Sequence, residues 1–526
     1  MVLIFLTGAI VLSLEVLSSR IMTPYFGVSL FIWAGILSIT LTFLAVGYYF
    51  GGRISKRTDR AGQAAVFYFM PVLAAVAVFG ACLIYPFVFP LLSRADLILG
   101  SFAAAAVLLA VPLVCLSAMN PLLISLRASP ERKDDSGGDG GAGLVLFIST
   151  AGSVAGVLVT AFMLIPGFTN FEALLWLGLA LCGFTVAAAV RGAHLDPARR
   201  RHLFMAAAVA GALCAALIFA QDRYLRLLSA VDPVDVSVSI LAEYTSVFGN
   251  IKVAHVTPDG PGNVPMKVYV QDGLIQNLAT PENISVSMYT YVLDRLAAGF
   301  APQAKSAVVL GLGAGFVPRF LRDRGLAVSV VEINPQSVRA AAEHFGFPAA
   351  NFDVAVTDAR TYVRACRQAF DVAVVDLFQG DATPDYLMTA EFFADLRRCL
   401  KPGGAVVMNA FFDDDDETPN KRLLATIQSA FGSVIRFQPG EENAFVVGLT
   451  VTPKADVDYD MNGIPDALKG RAFKTLQAGR LVRSGELLGY PVVTDRRNDF
   501  STLMANARMT HRQWLTGNVP ARLLVN

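Results

Sequence analysis

Three carboxylates stand at or just beyond the ends of successive apolar runs, and a glycine-rich turn precedes them. Ala307-Val308-Val309-Leu310 leads into Gly311-Leu312-Gly313-Ala314-Gly315, and Val328-Ser329-Val330-Val331 ends in Glu332. The run from Phe352 to Val356 is followed by Asp358, and Phe370-Asp371-Val372-Ala373-Val374-Val375 ends in Asp376. With helix-like segments between them, these runs read as β-α-β-α-β-α-β, a parallel sheet that delivers functional groups at its carboxyl edge. There Gly311, Gly313 and Gly315 let the backbone approach a ligand at a helix amino end, and Glu332 stands where a carboxylate holds ribose hydroxyls. With Asp358 and Asp376 the set suits a nucleoside ligand of the S-adenosylmethionine type. Singly, each acid is as readily a helix cap or a solvated loop residue. The spacing is not that of a phosphate-cradling Gly-x-x-x-x-Gly-Lys loop, and the sixth position of the dinucleotide fingerprint is Phe316. Asp376, Asp381 and Asp385 border one mouth and could attract a cationic amine.

The elements before this stretch are of another kind. Of 526 residues, 54% are hydrophobic and only 16% charged, with a mean hydropathy of +0.53. Ordinary soluble domains carry roughly a quarter charged residues, so part of the chain is expected in lipid. A spanning helix takes about 20 apolar residues. Such segments fall near 2–23, 30–52, 64–90, 98–126, 143–165, 171–190 and 203–220. The first lacks a basic leader and runs straight into another span, so it does not read as a cleaved signal. Glu15 and Arg20 lie in or near it, and Gly152, Ala155 and Gly156 read as helix-contact surface.

Most basic residues of this half fall in alternate loops: Arg53, Lys56, Arg57 and Arg60; then Arg127, Arg132 and Lys133; then Arg191 and Arg199 to Arg201. Such loops face the cytoplasm. With seven spans the remainder of the chain then emerges on the far side, whereas a nucleoside-using domain is expected in the cytoplasm. The two expectations conflict.

The expected architecture is an α-helical multi-pass transmembrane bundle (1–222) fused to an α/β Rossmann-like, methyltransferase-type domain (281–526). A small β subdomain (223–280) precedes the latter. It opens on an amphipathic interfacial segment, Tyr224 to Leu228, and continues with strands from Ser246 to Val256 and from Met266 to Val270. A helix from about Ser285 to Ala298 brings Tyr289 and Tyr291 toward the glycine turn.

The C-terminal half resembles the spermidine synthase family of polyamine aminopropyltransferases. The matching pieces are Ser246-Val247-Phe248-Gly249-Asn250-Ile251, Gln271-Asp272-Gly273-Leu274-Ile275-Gln276, Tyr289, the glycine turn, Val331-Glu332-Ile333, Thr357-Asp358-Ala359 and Asp371 to Asp376. Glu15, Arg20, Pro24, Gly27, Trp33, Gly47-Tyr48 and Gly51-Gly52 also fit a membrane-fused branch of that family. The resemblance implies Gln276, Glu332 and Asp358 on the nucleoside, with Asp376 accepting or orienting the proton of the attacking amine. It implies Tyr289 beside Asp376 or the substrate amine, and Asp272 and Asp381 on the substrate. The donor would be decarboxylated S-adenosylmethionine, or S-adenosylmethionine itself, and methylthioadenosine would leave without a metal.

Two places depart from the family pattern, and both fall on the propylamine side of the donor. The Asp of the family's glycine turn is here Ala314, and its Tyr-Gln pair is here Phe248-Gly249. Alternatives therefore stand beside transfer to putrescine: cyclisation of the donor onto its own amine, an S-adenosylmethionine-dependent methyltransferase, and a non-enzymatic polyamine transporter or sensor. The expected partners are a putrescine-like polyamine, the lipid bilayer and a second copy in a homo-oligomer. No basic stripe interleaved with aromatics suggests nucleic acid. The six cysteines show no Cys-x-x-Cys or disulfide framework, and the five histidines do not cluster, so no metal is expected. The run Asp413 to Asp416 reads as a solvated loop. Asp458 to Asp466 imitates a calcium loop but has Lys469 where the bidentate Glu should stand.

Overall fold

The structure is a computed structural model that describes every residue except 28–29, 129–140, 192–194, 233, 261–262, 379–382, 439–442 and 452–456. The chain divides into two compact units: Met1–Val234 with Gln513–Asn526, and Asp235–Arg512.

The first unit is helical. Its long helices are α1 (Val2–Phe26), α2 (Leu30–Arg57), α3 (Arg60–Ala95), α4 (Leu97–Arg127) and α5 (Ala142–Val159). A π turn at Thr160–Leu164 carries α5 into the short α6 (Ile165–Gly167), and α7 (Asn170–Arg191) and α8 (Pro197–Arg226) follow. Taking α5 to α6 as one span, seven helices among the described residues are long and apolar enough to cross a membrane. Aspartates set where three of them begin: Asp59, Asp96 and Asp196 accept the backbone N–H of Gly62, Leu99 and Arg199 at 3.0, 2.7 and 2.9 Å. Each cap contributes about 1 kcal/mol. Helices α1 and α5 pack backbone to backbone, for a Cβ on Gly152 would lie 2.0 Å from the Phe5 carbonyl oxygen. The segment 224–228, expected as a separate interfacial piece, is instead the last turn of α8 running into a 3-10 turn at Leu227–Val231. No turn residue interrupts the helix there.

The C-terminal segment belongs with this unit, whereas the Rossmann-like domain was expected to run to residue 526. The Arg94 guanidinium donates to the Thr516 carbonyl (2.8 Å), and the Ala521 N–H to Asp232 (2.6 Å). The Phe171 N–H donates to the Asn526 carbonyl (3.0 Å), and the Asn526 amide to the Arg20 carbonyl (3.1 Å).

The second unit opens with an antiparallel sheet in the order β1 (Val236–Tyr244), β2 (Ile251–Pro258), β3 (Met266–Gln271), β4 (Leu274–Ala279). The strand expected from Ser246 thus starts at Ile251. Gly249, at φ 126°, makes Ser246 to Asn250 a turn. Helix α9 (Met288–Phe300) leads into a mixed sheet of eight strands. Its parallel part is β5 (Ser306–Leu310), β6 (Ala327–Glu332), β7 (Asp353–Val356), β8 (Phe370–Val375) and β9 (Leu400–Ala410), linked by α10 (Phe316–Asp323), α11 (Pro335–His344), α12 (Ala359–Ala365) and α13 (Ala390–Cys399). After α14 (Glu417–Phe431) come β10 (Ser433–Phe437) and β11 (Ala444–Leu449), and after α15 (Asp466–Gln477) comes β12 (Gly479–Leu481). The order is β12-β10-β11-β9-β8-β5-β6-β7. Short helices α16 (Phe500–Leu503), α17 (Ala505–Asn518) and α18 (Ala521–Leu524) end the chain.

Alternation within the strands builds the two faces. Val308, Leu310, Ala373 and Val375 pack with Phe392, Phe393 and Leu396 on one side. Ala307, Val309, Val372 and Val374 pack with Val292, Leu293 and Leu296 of α9 on the other. The small sheet contributes Tyr244, Ile251, Val253 and Tyr269 to a third cluster with Phe316 and Phe345. That packing fixes β4 above the turn after β5.

Cys366 and Cys399, which their spacing gave no reason to pair, form a disulfide with Cα atoms 4.8 Å apart. The correction has a topological cause. They end α12 and α13, which lead toward β8 and β9, and those strands lie side by side. The Ala369 N–H already donates to the Cys399 carbonyl at 2.9 Å.

Asp371 ties the start of β5 to β8. One of its oxygens accepts from the N–H groups of Lys305 and Ser306, the Ser306 hydroxyl and the Lys401 ammonium at 2.8–3.1 Å. Partial burial acts to raise its pKa, but these donors overcome it and hold it at about 2. Folding therefore gains from this carboxylate above its ordinary pKa, and the gain disappears only as pH falls toward 2. Asp371→Ala strands two backbone donors and should cost about 1–3 kcal/mol. A thermal melt of the detergent-purified chain should show a midpoint lower by several degrees. An unchanged midpoint would show that the clamp contributes nothing.

Candidate active site

The parallel sheet changes direction between β5 and β8, and crevices at such switch points take ligands at the carboxyl ends of strands. The turn after β5 and Asp376 after β8 flank this one. The Gly311 N–H donates to the Val331 carbonyl (2.8 Å), and the Asp376 N–H to the Leu310 carbonyl (2.9 Å). Gly311 has φ 93°, and a Cβ there would fall 2.0 Å from the Asp376 carbonyl oxygen, so only glycine fits.

Glu332, at the end of β6, holds this turn in shape. Its two oxygens accept the N–H of Leu312 (3.0 Å) and of Asn334 (2.8 Å). Burial raises its pKa, and the backbone donors of Asn334, Leu312 and Ile333 oppose the rise. A carboxylate has about four acceptor positions, so with these three donors about one remains for a hydroxyl group in the cavity it lines. Asp358 is both cap and lining. One oxygen accepts the Thr361 N–H (2.8 Å) at the start of α12, and the other accepts the Tyr386 hydroxyl (2.7 Å).

Asp376 lines the same cavity as these two acids. It keeps some surface toward the cavity but is deep enough that burial pushes its carboxyl up to about 6, against hydrogen bonds from Asn409 and Tyr289. The Asn409 amide donates at 2.9 Å and in turn accepts from Asn443 at 3.0 Å. The Tyr289 hydroxyl accepts from the Asn277 amide at 2.8 Å, and the Asn277 carbonyl accepts the Ala314 N–H at 2.9 Å. Burial, then the Asp376 charge, raises the Tyr289 pKa strongly, so this phenol stays a donor.

The structure brings Gln276, Tyr289, Gly311, Gly313, Glu332, Asp358 and Asp376 to one cavity. Others stand elsewhere. Gly315, at φ 81°, starts α10 against Phe347 and does not line the cavity. Asp272 is also outside it: its carboxylate accepts the Asn250 N–H (2.9 Å) and holds the β3–β4 turn. Asp385, expected at the mouth, lies 3.7 Å from the Arg508 guanidinium and does not line the cavity, although Pro384 and Tyr386 beside it do. Asp381 lies outside the described residues.

Two decoys are explained by local bonding. Asp413 accepts the N–H of Asp415 and Asp416, and Asp416 caps α14. In the calcium-like loop the carbonyls of Asp460 and Asn462 already accept from the Arg295 guanidinium.

Asn277 and Asn409 were missed. Each is a buried amide within a strand. That is a signal in its own right, since a buried amide must find partners.

Residues 287–436 match the Spermine/spermidine synthase domain. Over that stretch the second unit is similar to the spermidine synthase family. A probable polyamine aminopropyl transferase of Bifidobacterium longum is 32% identical over 164 residues, 30% of this chain and 36% of that protein. A polyamine aminopropyltransferase of Chromobacterium violaceum is 38% identical over 174 residues, 32% of this chain and 65% of that protein. An N-terminal histidine N-methyltransferase of Emericella nidulans is 35% identical over 136 residues, 25% of this chain and 24% of that protein. Each match thus spans less than two-thirds of the relative. The matched stretch includes Tyr289, the glycine turn, Glu332, Asp358, Asp376 and Asn409, while the small sheet with Asn277 lies before it.

Asn277 joins the small sheet to both the turn and Tyr289. Asn277→Ala strands the buried Ala314 N–H and should cost about 1–3 kcal/mol of stability. A thermal melt of the purified chain reads this, and an unchanged midpoint would show that the turn holds its shape without the amide.

Proposed function

We propose that the site moves the propylamine group of decarboxylated S-adenosylmethionine onto a polyamine such as putrescine and releases methylthioadenosine. The observation that carries this reading is Asp376, a carboxylate with a pKa of about 6 facing a nucleoside cradle. A polyamine arrives protonated and must lose a proton before its nitrogen can attack. The best acceptor for such a proton has a pKa near the working pH, and Asp376 is far closer to that than an ordinary aspartate. Holding the amine in line with the reacting carbon supplies the rest of the effect. The nitrogen bonds to the methylene next to the sulfonium, the carbon–sulfur pair returns to sulfur, and the amine proton passes to Asp376. Glu332 and Asp358 hold the nucleoside, and Tyr289 and Asn409 hold Asp376.

A second reading has its own support. Ala314 puts a methyl group in the glycine turn and Phe248 lines the cavity, so among the described residues Asp376 is the lining acid not assigned to the nucleoside and left for the donor's own ammonium. The donor amine then competes with the acceptor for it. Attack by that amine on its own chain would also release methylthioadenosine, with a small cyclic amine as the other product. Seven apolar helices support the further proposal that the enzyme works at a membrane.

Purified chain given decarboxylated S-adenosylmethionine and putrescine should yield methylthioadenosine and an extended polyamine by mass spectrometry. Methylthioadenosine without putrescine would indicate cyclisation. S-adenosylhomocysteine from intact S-adenosylmethionine would indicate methyl transfer, and saturable binding without product a transporter or sensor. Asp376→Asn should lower kcat about 10²–10⁴-fold.

The pH profile carries a separate signature. Activity needs the charged carboxylate, so kcat/KM should fall as pH drops through about 6. Asn409 favours the charged form, and Asn409→Leu should move that acid limb to higher pH. A limb that stays in place, or moves down, would remove Asp376 as the titrating group.

A further inference from the structure

We infer that the soluble unit, with its cavity, lies on the oxidising, non-cytoplasmic side of the membrane. Two independent observations meet in this placement: the charge of the loops at the two ends of the helical unit, and the pairing of Cys366 with Cys399.

The seven apolar helices alternate in direction if each crosses once. One end then carries the α2–α3, α4–α5 and α7–α8 connections, with Arg53, Lys56, Arg57, Arg60, Arg127, Arg191, Arg199, Arg200 and Arg201 in or beside them. The other end carries Arg20, Arg94, Arg223, Arg226 and, in the returning C-terminal segment, Arg522. An excess of this size places the first end in the cytoplasm. The chain passes from Arg199–Arg201 through α8 once and enters the second unit at Asp235, and so on the opposite side.

The return of the chain agrees. The C-terminal segment is held by Arg20, Arg94, Phe171 and Asp232, and all four stand at the end of the helical unit away from the basic loops. The chain therefore leaves the helical unit and re-enters it at the same end of that unit.

The cysteines bear on the compartment by a different route. The four in the helical unit, Cys82, Cys115, Cys182 and Cys214, are free and buried. The two in the soluble unit are joined to each other. Thiols stay reduced in the cytosol, while disulfides persist in the periplasm and outside cells. Charge bias reports how the helices inserted, and pairing reports the environment of the folded unit. They select the same side.

The placement holds whichever reaction Asp376 runs; only its consequence for supply rests on the proposed aminopropyl transfer. A donor with a sulfonium and an ammonium group does not cross hydrocarbon unaided, since one charge at the bilayer centre already costs several kcal/mol. A carrier-mediated transfer of a sulfonium nucleoside must then precede the reaction.

The test uses the full chain in bacterial spheroplasts. Lys474 is exposed on α15 of the soluble unit, and Arg199 is exposed at the start of α8. Lys474→Cys and Arg199→Cys, each in a Cys366→Ala/Cys399→Ala background, are treated with a membrane-impermeant maleimide. Lys474→Cys should label in intact spheroplasts, and Arg199→Cys only after permeabilisation. The wild-type chain, with thiols trapped before lysis, should show Cys366 and Cys399 blocked until a reductant is added, a result that needs no substitution. The reverse labelling pattern, or free thiols at Cys366 and Cys399, would overturn the placement. Decarboxylated S-adenosylmethionine with putrescine should give methylthioadenosine in right-side-out vesicles and none in sealed inside-out ones. The expected labelling with no product in either would leave the placement standing and remove the reaction.

Discussion

A carboxylate kept charged where water is scarce is the constraint on which the site depends. Burial alone would neutralise Asp376, and full solvation would leave it too weak a base for an ammonium proton. The hydrogen bonds from Asn409 and Tyr289 set it between these limits, near 6. Two neutral donors are suited to this, because they favour the charged form without cancelling it. A lysine or arginine in the place of Asn409 would lower the pKa further and reduce the basicity the proposed reaction uses.

The same constraint reaches the backbone. Asp376 follows β8, and its carbonyl occupies the space that a side chain at Gly311 would need. The turn at Gly311 is closed from below by Glu332 and from above by Asn277. Asn277 belongs to the small sheet, which is positioned by the packing of Tyr244, Ile251, Val253 and Tyr269 on Phe316 and Phe345. The antiparallel sheet is thus part of the site, since it completes a network that runs from Ala314 through Asn277 and Tyr289 to Asp376.

This explains what could be read from the sequence and what could not. Strands β5, β6 and β8 show as apolar runs because both faces of the sheet are covered, and their terminal acids mark the carboxyl edge. The length of apolar segments likewise disclosed the seven helices. Direction within loops was not legible. Asp272, Asp376 and Asp385 are equally plausible as sequence, yet the first holds a turn, the second faces the cavity and the third faces Arg508. The Cys366–Cys399 pair was hidden because their closeness arises from the parallel neighbours β8 and β9, not from spacing. Asn277 and Asn409 carry no charge to attract notice, and their importance comes from what they touch.

The distribution of charge also bears on how a turnover would end. Glu332, Asp358 and Asp376 line one cavity, and among its lining residues no lysine or arginine offsets them. A donor with a sulfonium centre is drawn to such a cavity: two unit charges about 4 Å apart attract by roughly 4 kcal/mol at the effective dielectric of a protein surface. In the proposed transfer the carbon–sulfur bond breaks and the sulfur becomes a neutral thioether, so methylthioadenosine loses that attraction at the moment it forms. Its ribose and adenine contacts remain, but the term that favoured the donor over the product is gone. Acids that recruit the substrate therefore also favour release, and the cavity needs no moving part to tell donor from product.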